Sequence, residues 1–264
     1  MLPDNIQRLL ANETYETDKI GMSGSQVLLF EDKVLKIQDD NDEAENEYRM
    51  MSYLSGRLPV PGIYSYEKEN GKTYLLMGRC EGRMACHDVY MRDPALQCRL
   101  LANGLKKMWS IDISRCPCDQ RLSHKLIQAR YNVESNLVDL DNVELSTFGE
   151  KGFRDPAALL QWLFDNIPQQ EPVLSHGDYC LPNLFGDGDQ VTGYIDLGKT
   201  GIADKWCDIA LCYRSLSHNH SGKYNADYRR DKDSRPDDLL LFRELGIEPD
   251  WEKINYYILL DELF

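Results

Sequence analysis

Two short segments of the chain place acidic and amide side chains at a spacing that suits phosphate chemistry. The first is HGDYCLPNLF at residues 176–185, and the second is YIDLG at residues 194–198. Transfer of a γ-phosphoryl group requires a carboxylate beside the acceptor hydroxyl and oxygen ligands for Mg²⁺. Asp178 and Asn183 have the spacing of the base and the metal-binding amide of protein kinases, and Asp196 follows as a second metal ligand. We therefore predict phosphoryl transfer, with Asp178 as the base and Asn183 and Asp196 as ligands of Mg²⁺.

Either segment alone would also suit a surface turn rich in Asp and Gly, but the two together in this order favour the catalytic interpretation. Asp196 lies between Tyr194 and Ile195, which are typical of strands, and Gly198, whose backbone can take unusual angles. This environment predicts a ligand at the junction of a strand and a loop.

The elements before this region predict a small antiparallel sheet with one helix. Short apolar runs separated by turn signals indicate strands, and residues 41–55 have helical periodicity. The four strand-like runs are QVLLF, KVLKI, GIYSY and TYLLM.

Lys36 lies in the apolar run KVLKI, where a buried ammonium group needs an anion. The predicted helix offers three acids, Glu43, Glu45 and Glu47. We favour Glu47, because it shares a helix face with the apolar residues Met50, Met51 and Leu54. In kinases such a pair holds the strand Lys against the nucleotide phosphates.

Two further segments are candidates for nucleotide binding. GMSGSQ at residues 21–26 joins two strands, and its small residues Ser23, Gly24 and Ser25 would let backbone N–H groups approach phosphates. An ordinary hairpin turn has the same composition, and that alternative stays open. By analogy with the hinge of kinases, Gly78 and Cys80 would contact adenine through their backbone, with Met77 lining the pocket.

The second part of the chain predicts mainly helices. Periodicity and start signals indicate helices over residues 95–109, 121–137, 157–164, 204–216 and 250–263. Within the fourth of these, Asp208 is predicted to hydrogen-bond the catalytic loop. Residues 218–235 are polar without an apolar period and predict an exposed or partly disordered connector. The fold class is therefore α+β with two lobes, a nucleotide-binding lobe over residues 1–79 and a catalytic and substrate-binding lobe over residues 80–264.

Composition narrows the classes of partner. The 264 residues carry a net charge of −14, with 42% apolar and 28% charged residues, which is typical of a globular enzyme. This charge argues against nucleic acid or an anionic membrane as partner and favours a polycationic ligand, although solubility alone would also explain it. We expect a cytoplasmic monomer or weak homodimer whose eight scattered cysteines are reduced and which has no structural zinc.

The chain resembles the aminoglycoside 3'-phosphotransferases, antibiotic-resistance kinases with a protein-kinase-like fold, over nearly its whole length. The segments that carry the resemblance are GMS at 21, RLPVP at 57, YLLM at 74, SIDIS at 110, SHGD at 175, GYIDLGKTGIADKWCDIA at 193 and PDWEKINYYILLDELF at 249. The resemblance implies an ATP- (or GTP-) and Mg²⁺-dependent kinase for the 3'-hydroxyl of aminoglycosides of the kanamycin and neomycin class. The alternatives are a kinase of another small cation or of a macrolide, and a binder without catalysis.

The resemblance also implies roles for residues that composition and spacing leave open. Ser23 would cap the nucleotide loop, and Lys36 with Glu47 would hold the α- and β-phosphates. The remaining positions would bind the ammonium groups of the substrate: Asp139, Asp141 and Glu144 in an acidic loop, and Asp261, Glu262 and the carboxylate of Phe264 at the C-terminus. Lys199, also expected near the substrate, stands where the family often has Arg, so a point charge replaces a bidentate fork.

Overall fold

The computed structural model describes residues 2–11, 13–17, 25–144, 146–150, 152–228 and 237–264. The chain begins with helix α1 (Asp4–Leu9), and an antiparallel sheet follows. Its strands are β1 (Glu16–Thr17), β2 (Gln26–Leu29), β3 (Lys33–Asp39), β4 (Ile63–Glu69) and β5 (Lys72–Gly78), in the spatial order β1-β2-β3-β5-β4. The predicted antiparallel sheet is confirmed.

Helix α2 (Asp42–Leu54) connects β3 to β4, as the periodicity predicts. Its start is set by Asn41, whose side-chain oxygen accepts a hydrogen bond from the backbone N–H of Ala44 at 2.8 Å. Met50, Met51 and Leu54 are buried on one face and join the main core of the molecule. Burial of this face holds α2 between the sheet and the rest of the chain.

Strand β5 is buried on both faces, and its successive side chains point alternately into two hydrophobic cores. Tyr74 and Leu76 pack beneath α1 in a small cluster, whereas Leu75 and Met77 belong to the main core. Continuous burial explains why this strand reads as an unbroken apolar run rather than as alternating apolar and polar residues.

The remaining elements are mainly helical, in agreement with the predicted α+β class. They are β6 (Arg83–Met84), α3 (Asp88–Arg92), α4 (Pro94–Trp109), α5 (Leu122–Glu134), α6 (Pro156–Asp165), β7 (Pro172–Ser175), β8 (Leu184–Asp187), β9 (Gln190–Tyr194), β10 (Gly201–Asp204), α7 (Lys205–His220), α8 (Leu240–Leu245) and α9 (Trp251–Asp261). Small antiparallel sheets pair β7 with β10 and place β8 between β6 and β9.

Aspartate caps fix where several of these helices begin. Asp93, Asp155, Asp204 and Asp250 accept hydrogen bonds from backbone N–H groups in the first turns of α4, α6, α7 and α9. Helix α7 is longer than the sequence predicts, because it continues through residues 217–220. The predicted connector therefore starts later, and its residues 229–235 lie outside the described part of the chain.

The short strands position the functional segments. Residues 176–183 connect β7 to β8, and Asp196 lies two residues after the end of β9, so both segments emerge beside one another. The eight cysteines are free thiols, as predicted. Within the described residues, no helix has both the length and the apolar character needed to cross a bilayer.

Candidate active site

A buried ion-pair cluster joins the sheet to the second half of the chain. The Nζ atom of Lys36 on β3 lies 2.8 Å from Oε2 of Glu47 on α2 and 2.8 Å from Oδ1 of Asp196. Lys36 is 8% exposed and Glu47 is 1% exposed. The choice of Glu47 over Glu43 and Glu45 is confirmed, and the position of Asp196 against Lys36 links the two lobes.

Mutual charge stabilisation sets the protonation of this cluster. Burial opposes the charged form of Lys36, but Glu47 and Asp196 outweigh it and raise the pKa of the ammonium group. Burial likewise opposes ionisation of Asp196, yet Lys36 lowers the pKa of that carboxyl below its ordinary value of 3.8. Both groups are therefore charged at neutral pH.

The loop between β7 and β8 brings Asp178 and Asn183 together. The Nδ2 atom of Asn183 donates to Oδ2 and to the backbone carbonyl of Asp178, both at 3.0 Å. The thiol of Cys180 donates to Oδ1 of Asp178 at 3.0 Å. The carboxylate of Asp178 is thus held from both sides, and the Oδ1 atom of Asn183 is left as an acceptor.

The ring of His176 ties this loop to the segment that carries Asp196. Its Nε2 atom lies 3.0 Å from the carbonyl oxygen of Ile195, and its Nδ1 atom accepts from the N–H of Asp178 at 3.3 Å. These contacts assign the hydrogen to Nε2. The backbone bond from Ile195 N–H to the carbonyl of Asn183, at 3.1 Å, adds a second link between the segments.

Asp208 on α7 anchors the loop between β7 and β8 by hydrogen bonds, as predicted. It is fully buried, and its two oxygens accept the N–H groups of His176 at 2.7 Å and of Gly177 at 2.9 Å. Gly177 has a φ of 82°, and a Cβ there would collide with the carbonyl oxygen of Lys199. Only glycine allows the two loops to approach this closely.

The unusual backbone angles fall on Asp196 itself, with φ 59° and ψ 57°, rather than on Gly198. A left-handed conformation costs a non-glycine residue energy, and such residues cluster at functional sites. Gly198 is required for a different reason, because a Cβ there would collide with the side chain of Glu43 on α2. Asn46 on α2 reinforces this contact by donating to the carbonyl of Gly198 at 2.8 Å.

The C-terminal acids lie in a second cluster, where they are already paired. Arg214 on α7 forms ion pairs with Asp261 and, at 3.3 Å, with Glu262. Oε2 of Glu262 also accepts the backbone N–H of Glu144 at 2.7 Å. The structure therefore brings together Glu144, Asp261 and Glu262, which the sequence separates by more than a hundred residues.

The other predicted substrate residues are placed less closely. Asp139 and Asp141 lie on an exposed loop, where Asp139 accepts from the backbone N–H of Asp141 at 3.0 Å. Phe264 is 42% exposed. Burial opposes the charged form of Lys199, but the charges of Asp261, Glu43, Asp178 and Asp196 outweigh it and raise the pKa of the ammonium group. The proposed substrate roles of these residues stay predictions.

The candidate nucleotide side is partly described. Ser23 and Gly24 lie outside the described residues, and Ser25 is half-buried before β2. Met77 is buried, at 7% exposure, and Cys80 is half-buried. The N–H of Gly78 already donates to the carbonyl of Gly62 at 2.8 Å, so a base would have to use other backbone groups of this segment.

Three residues that contact the predicted site residues were not identified from the sequence: Cys180, His176 and Arg214. The first two flank Asp178 closely in the chain, so their proximity to the base was a usable signal. Arg214 lies on a helix whose residues are mostly buried, and a cation there requires an acidic partner. Its partners were not predictable, since they lie 47 and 48 residues away.

The arrangement suits phosphate chemistry. Lys36 contacts Glu47 and Asp196 directly, and Lys199 has favourable electrostatic interactions with Asp178 and Asp196. The carboxylate of Asp196 and the amide oxygen of Asn183 are hard oxygen donors of the kind that Mg²⁺ prefers. Such a small set fits a cation that takes its other ligands from phosphates and water.

Sequence comparisons place the chain beside known phosphotransferases. The Phosphotransferase enzyme family matches residues 15–244. An aminoglycoside 3'-phosphotransferase of Enterococcus faecalis is 37% identical over 98% of this chain and 97% of the relative, and one of Staphylococcus aureus is 36% identical over the same shares.

Solved structures show the same fold. A crystal structure of aminoglycoside-3'-phosphotransferase of type VIII superposes with a TM-score of 0.77 at 25% identity, covering 99% of this chain and 98% of that one. A Streptomyces rimosus aminoglycoside phosphotransferase in complex with ADP and streptomycin superposes with a TM-score of 0.78 at 22% identity, covering 98% and 95%. The predicted two-lobed, kinase-like α+β fold is confirmed.

Proposed function

Because the chain belongs to the aminoglycoside 3'-phosphotransferase family, we propose that it transfers the γ-phosphoryl group of ATP to the 3'-hydroxyl of an aminoglycoside. The observation that carries the proposal is the convergence of Asp178, Asn183 and Asp196 with the Lys36–Glu47 pair. A binder without catalysis would have no need for this set of groups together.

Asp178 orients and deprotonates the acceptor hydroxyl. Its carboxylate is half-buried and held by Cys180 on one oxygen and by Asn183 on the other, so it has little freedom to rotate. A base fixed in this way reduces the entropy lost in reaching the transition state. Positioning of the acceptor is the main contribution that we assign to this residue.

Lys36 neutralises the nucleotide phosphates, and Glu47 fixes its direction. The ammonium group already contacts both lobes, because it pairs with Glu47 on α2 and with Asp196 in the loop after β9. Asn183 and Asp196 would hold Mg²⁺, which neutralises the phosphate charge that develops during transfer. We assign residues 1–79 to nucleotide binding and residues 80–264 to catalysis and substrate binding.

The acidic wall formed by Glu144, Asp261 and Glu262 supplies the anions that an aminoglycoside needs. Ammonium groups that lose water on binding require such partners, because an unpaired buried charge is costly. The net charge of −14 adds a long-range attraction for a polycation. The same features would disfavour a neutral acceptor.

The position of phosphorylation is the decisive measurement. The protein, ATP and Mg²⁺ are incubated with kanamycin, and the product is analysed by ³¹P and ¹H NMR. We expect one phosphomonoester at the 3'-oxygen, and no product from the matched 3'-deoxy analogue. Faster turnover of a macrolide or of another small cation would replace the proposed acceptor, and ligand binding without ADP release would refute the kinase activity.

We also propose that the protein acts in the cytoplasm as a monomer or weak homodimer. Eight free thiols suit a reducing compartment. Sedimentation at several concentrations tests the oligomeric state, and a stable dimer at the lowest concentration would contradict it.

A further inference from the structure

The acidic wall formed by Glu144, Asp261 and Glu262 is neutralised by cations of the chain itself. Arg214 pairs with Asp261 and Glu262, as described above. Glu144 is held separately, because its Oε1 atom lies 2.8 Å from Nζ of Lys223 and 2.9 Å from Nε2 of His218. The ammonium group of Lys223 therefore contacts Glu144, an acid that we propose binds the substrate.

Arg214 and Lys223 differ in how easily a substrate ammonium group can displace them from their acids. The side chain of Arg214 is 19% exposed and that of Glu262 is 3% exposed, so this pair is part of the buried structure. The side chains of Lys223 and Glu144 are 44% and 35% exposed. An ion pair this exposed is weak and reversible. Burial lowers the pKa of His218, which leaves Lys223 as the cation on Glu144 at neutral pH.

The position of Lys223 is fixed by the end of helix α7. Gly222 has a φ of 79°, its N–H donates to the carbonyl of Asn219 at 3.1 Å, and the N–H of Lys223 donates to that of His218 at 3.0 Å. These bonds form a Schellman motif, which turns the chain back over the last helical turn. The motif fixes the backbone of Lys223, and from this position its Nζ atom reaches Glu144.

This helix end borders the catalytic loop. The hydroxyl of Tyr224 lies 3.2 Å from Nδ1 of His218, and the two rings meet edge to face. The backbone N–H of Leu181 in the catalytic loop donates to Oγ of Ser215 on α7 at 3.1 Å, so this helix packs on that loop. Glu144 meets Glu262 through its backbone N–H, so Lys223 and the C-terminal acids lie on one wall.

We propose that Lys223 is a specificity-determining residue. Its ammonium group binds Glu144 where an ammonium group of the substrate would bind, and the substrate displaces it. This inference rests on the proposed function. Because one ammonium replaces another, Glu144 adds less to binding than a free carboxylate would. Lys223 thereby selects for substrates with enough ammonium groups to bind Asp261 as well, whose side chain is 28% exposed.

Substitution of Lys223 by Gln tests this role, with kanamycin and the more highly aminated neomycin as probes. In Lys223→Gln we expect the KM for kanamycin to fall about threefold to fivefold, the range that loss of one exposed ion pair allows. The kcat and the KM for ATP should not change, and the effect on neomycin should be smaller. Lys72→Gln is the matched control, because Lys72 is 47% exposed and lies 2.7 Å from Asp39 on the sheet.

A double variant separates a specific role from a general charge effect. Glu144→Gln alone should raise the KM for kanamycin, and adding Lys223→Gln should then have no further effect. A KM in Lys223→Gln equal to that of Lys72→Gln, or an equal fall with and without Glu144, would overturn this inference alone. Absence of any aminoglycoside turnover by the parent protein would refute the proposed function and this inference together.

Discussion

Replacement of Asp178 by Asn tests the central assignment with little change in shape. Asn keeps the size of the side chain and one acceptor oxygen, but it loses the negative charge and the ability to take a proton. Asn183 and Cys180 both donate to the native carboxylate, so one donor will face the new amide nitrogen. The structural cost should therefore be one lost hydrogen bond.

The expected magnitudes follow from these contacts. One lost hydrogen bond costs about 1 kcal/mol, which lowers the Tm by about 2–4 °C in a chain of this size. Loss of general-base catalysis lowers kcat by roughly 10²–10⁴-fold, equivalent to about 3–5 kcal/mol in the barrier. Catalysis should fall far more than stability.

The assay is steady-state phosphorylation of kanamycin, coupled to ADP release, together with thermal unfolding. The control is Asp187→Asn on strand β8, which removes the same charge from an exposed carboxylate of the neighbouring hairpin. This variant should keep parental kcat and KM. Activity of Asp178→Asn within tenfold of the parent, with a Tm close to the parental value, would show that Asp178 is not the base.

Further substitutions test the supports of the site. Glu47→Gln should raise the KM for ATP and destabilise the fold by less than the roughly 3–5 kcal/mol of an isolated buried pair, because Asp196 still holds Lys36; an unchanged KM would contradict the pairing role. Asp208→Asn should cost about 2 kcal/mol, seen as a lower Tm, because one of two backbone N–H groups loses its acceptor; parental stability would exclude the anchoring role. Since Lys36 lowers the folded-state pKa of Asp196, the stability from this carboxylate is present above its unfolded pKa and is lost as pH falls through the lower folded pKa. Denaturant unfolding between pH 5 and pH 2 should therefore show a smaller loss of stability in Asp196→Asn than in the parent, and equal losses would contradict the ion pair.

The features that sequence reasoning identified depend on short-range order. Strand and helix periods are local, so the sheet, helix α2 and most later helices could be predicted. Glu47 could be chosen because its helix face was already known from Met50 and Leu54. Asp208 could be linked to the catalytic loop because a buried carboxylate on an apolar helix face needs donors.

Other features required the folded chain. The sequence pattern assigned the unusual backbone angles to Gly198, but they fall on Asp196, since close packing of α2 decides which residue must bend. The extension of α7 through His220 was also missed, because its last turn is polar. His220 is nevertheless buried there, with Nε2 at 2.8 Å from the side-chain oxygen of Gln97.

The sequence by itself predicted the phosphoryl-transfer chemistry of this protein, because Asp178, Asn183 and Asp196 follow one another at short intervals. The tertiary structure alone decided the state of the acidic wall. Arg214 and Lys223 meet their acids across long stretches of chain, and the identity of such partners depends on how helices pack rather than on local sequence. The net charge predicts that the protein attracts cationic ligands. Only the packing of the chain determines which of its acids are already paired with its own Lys and Arg side chains.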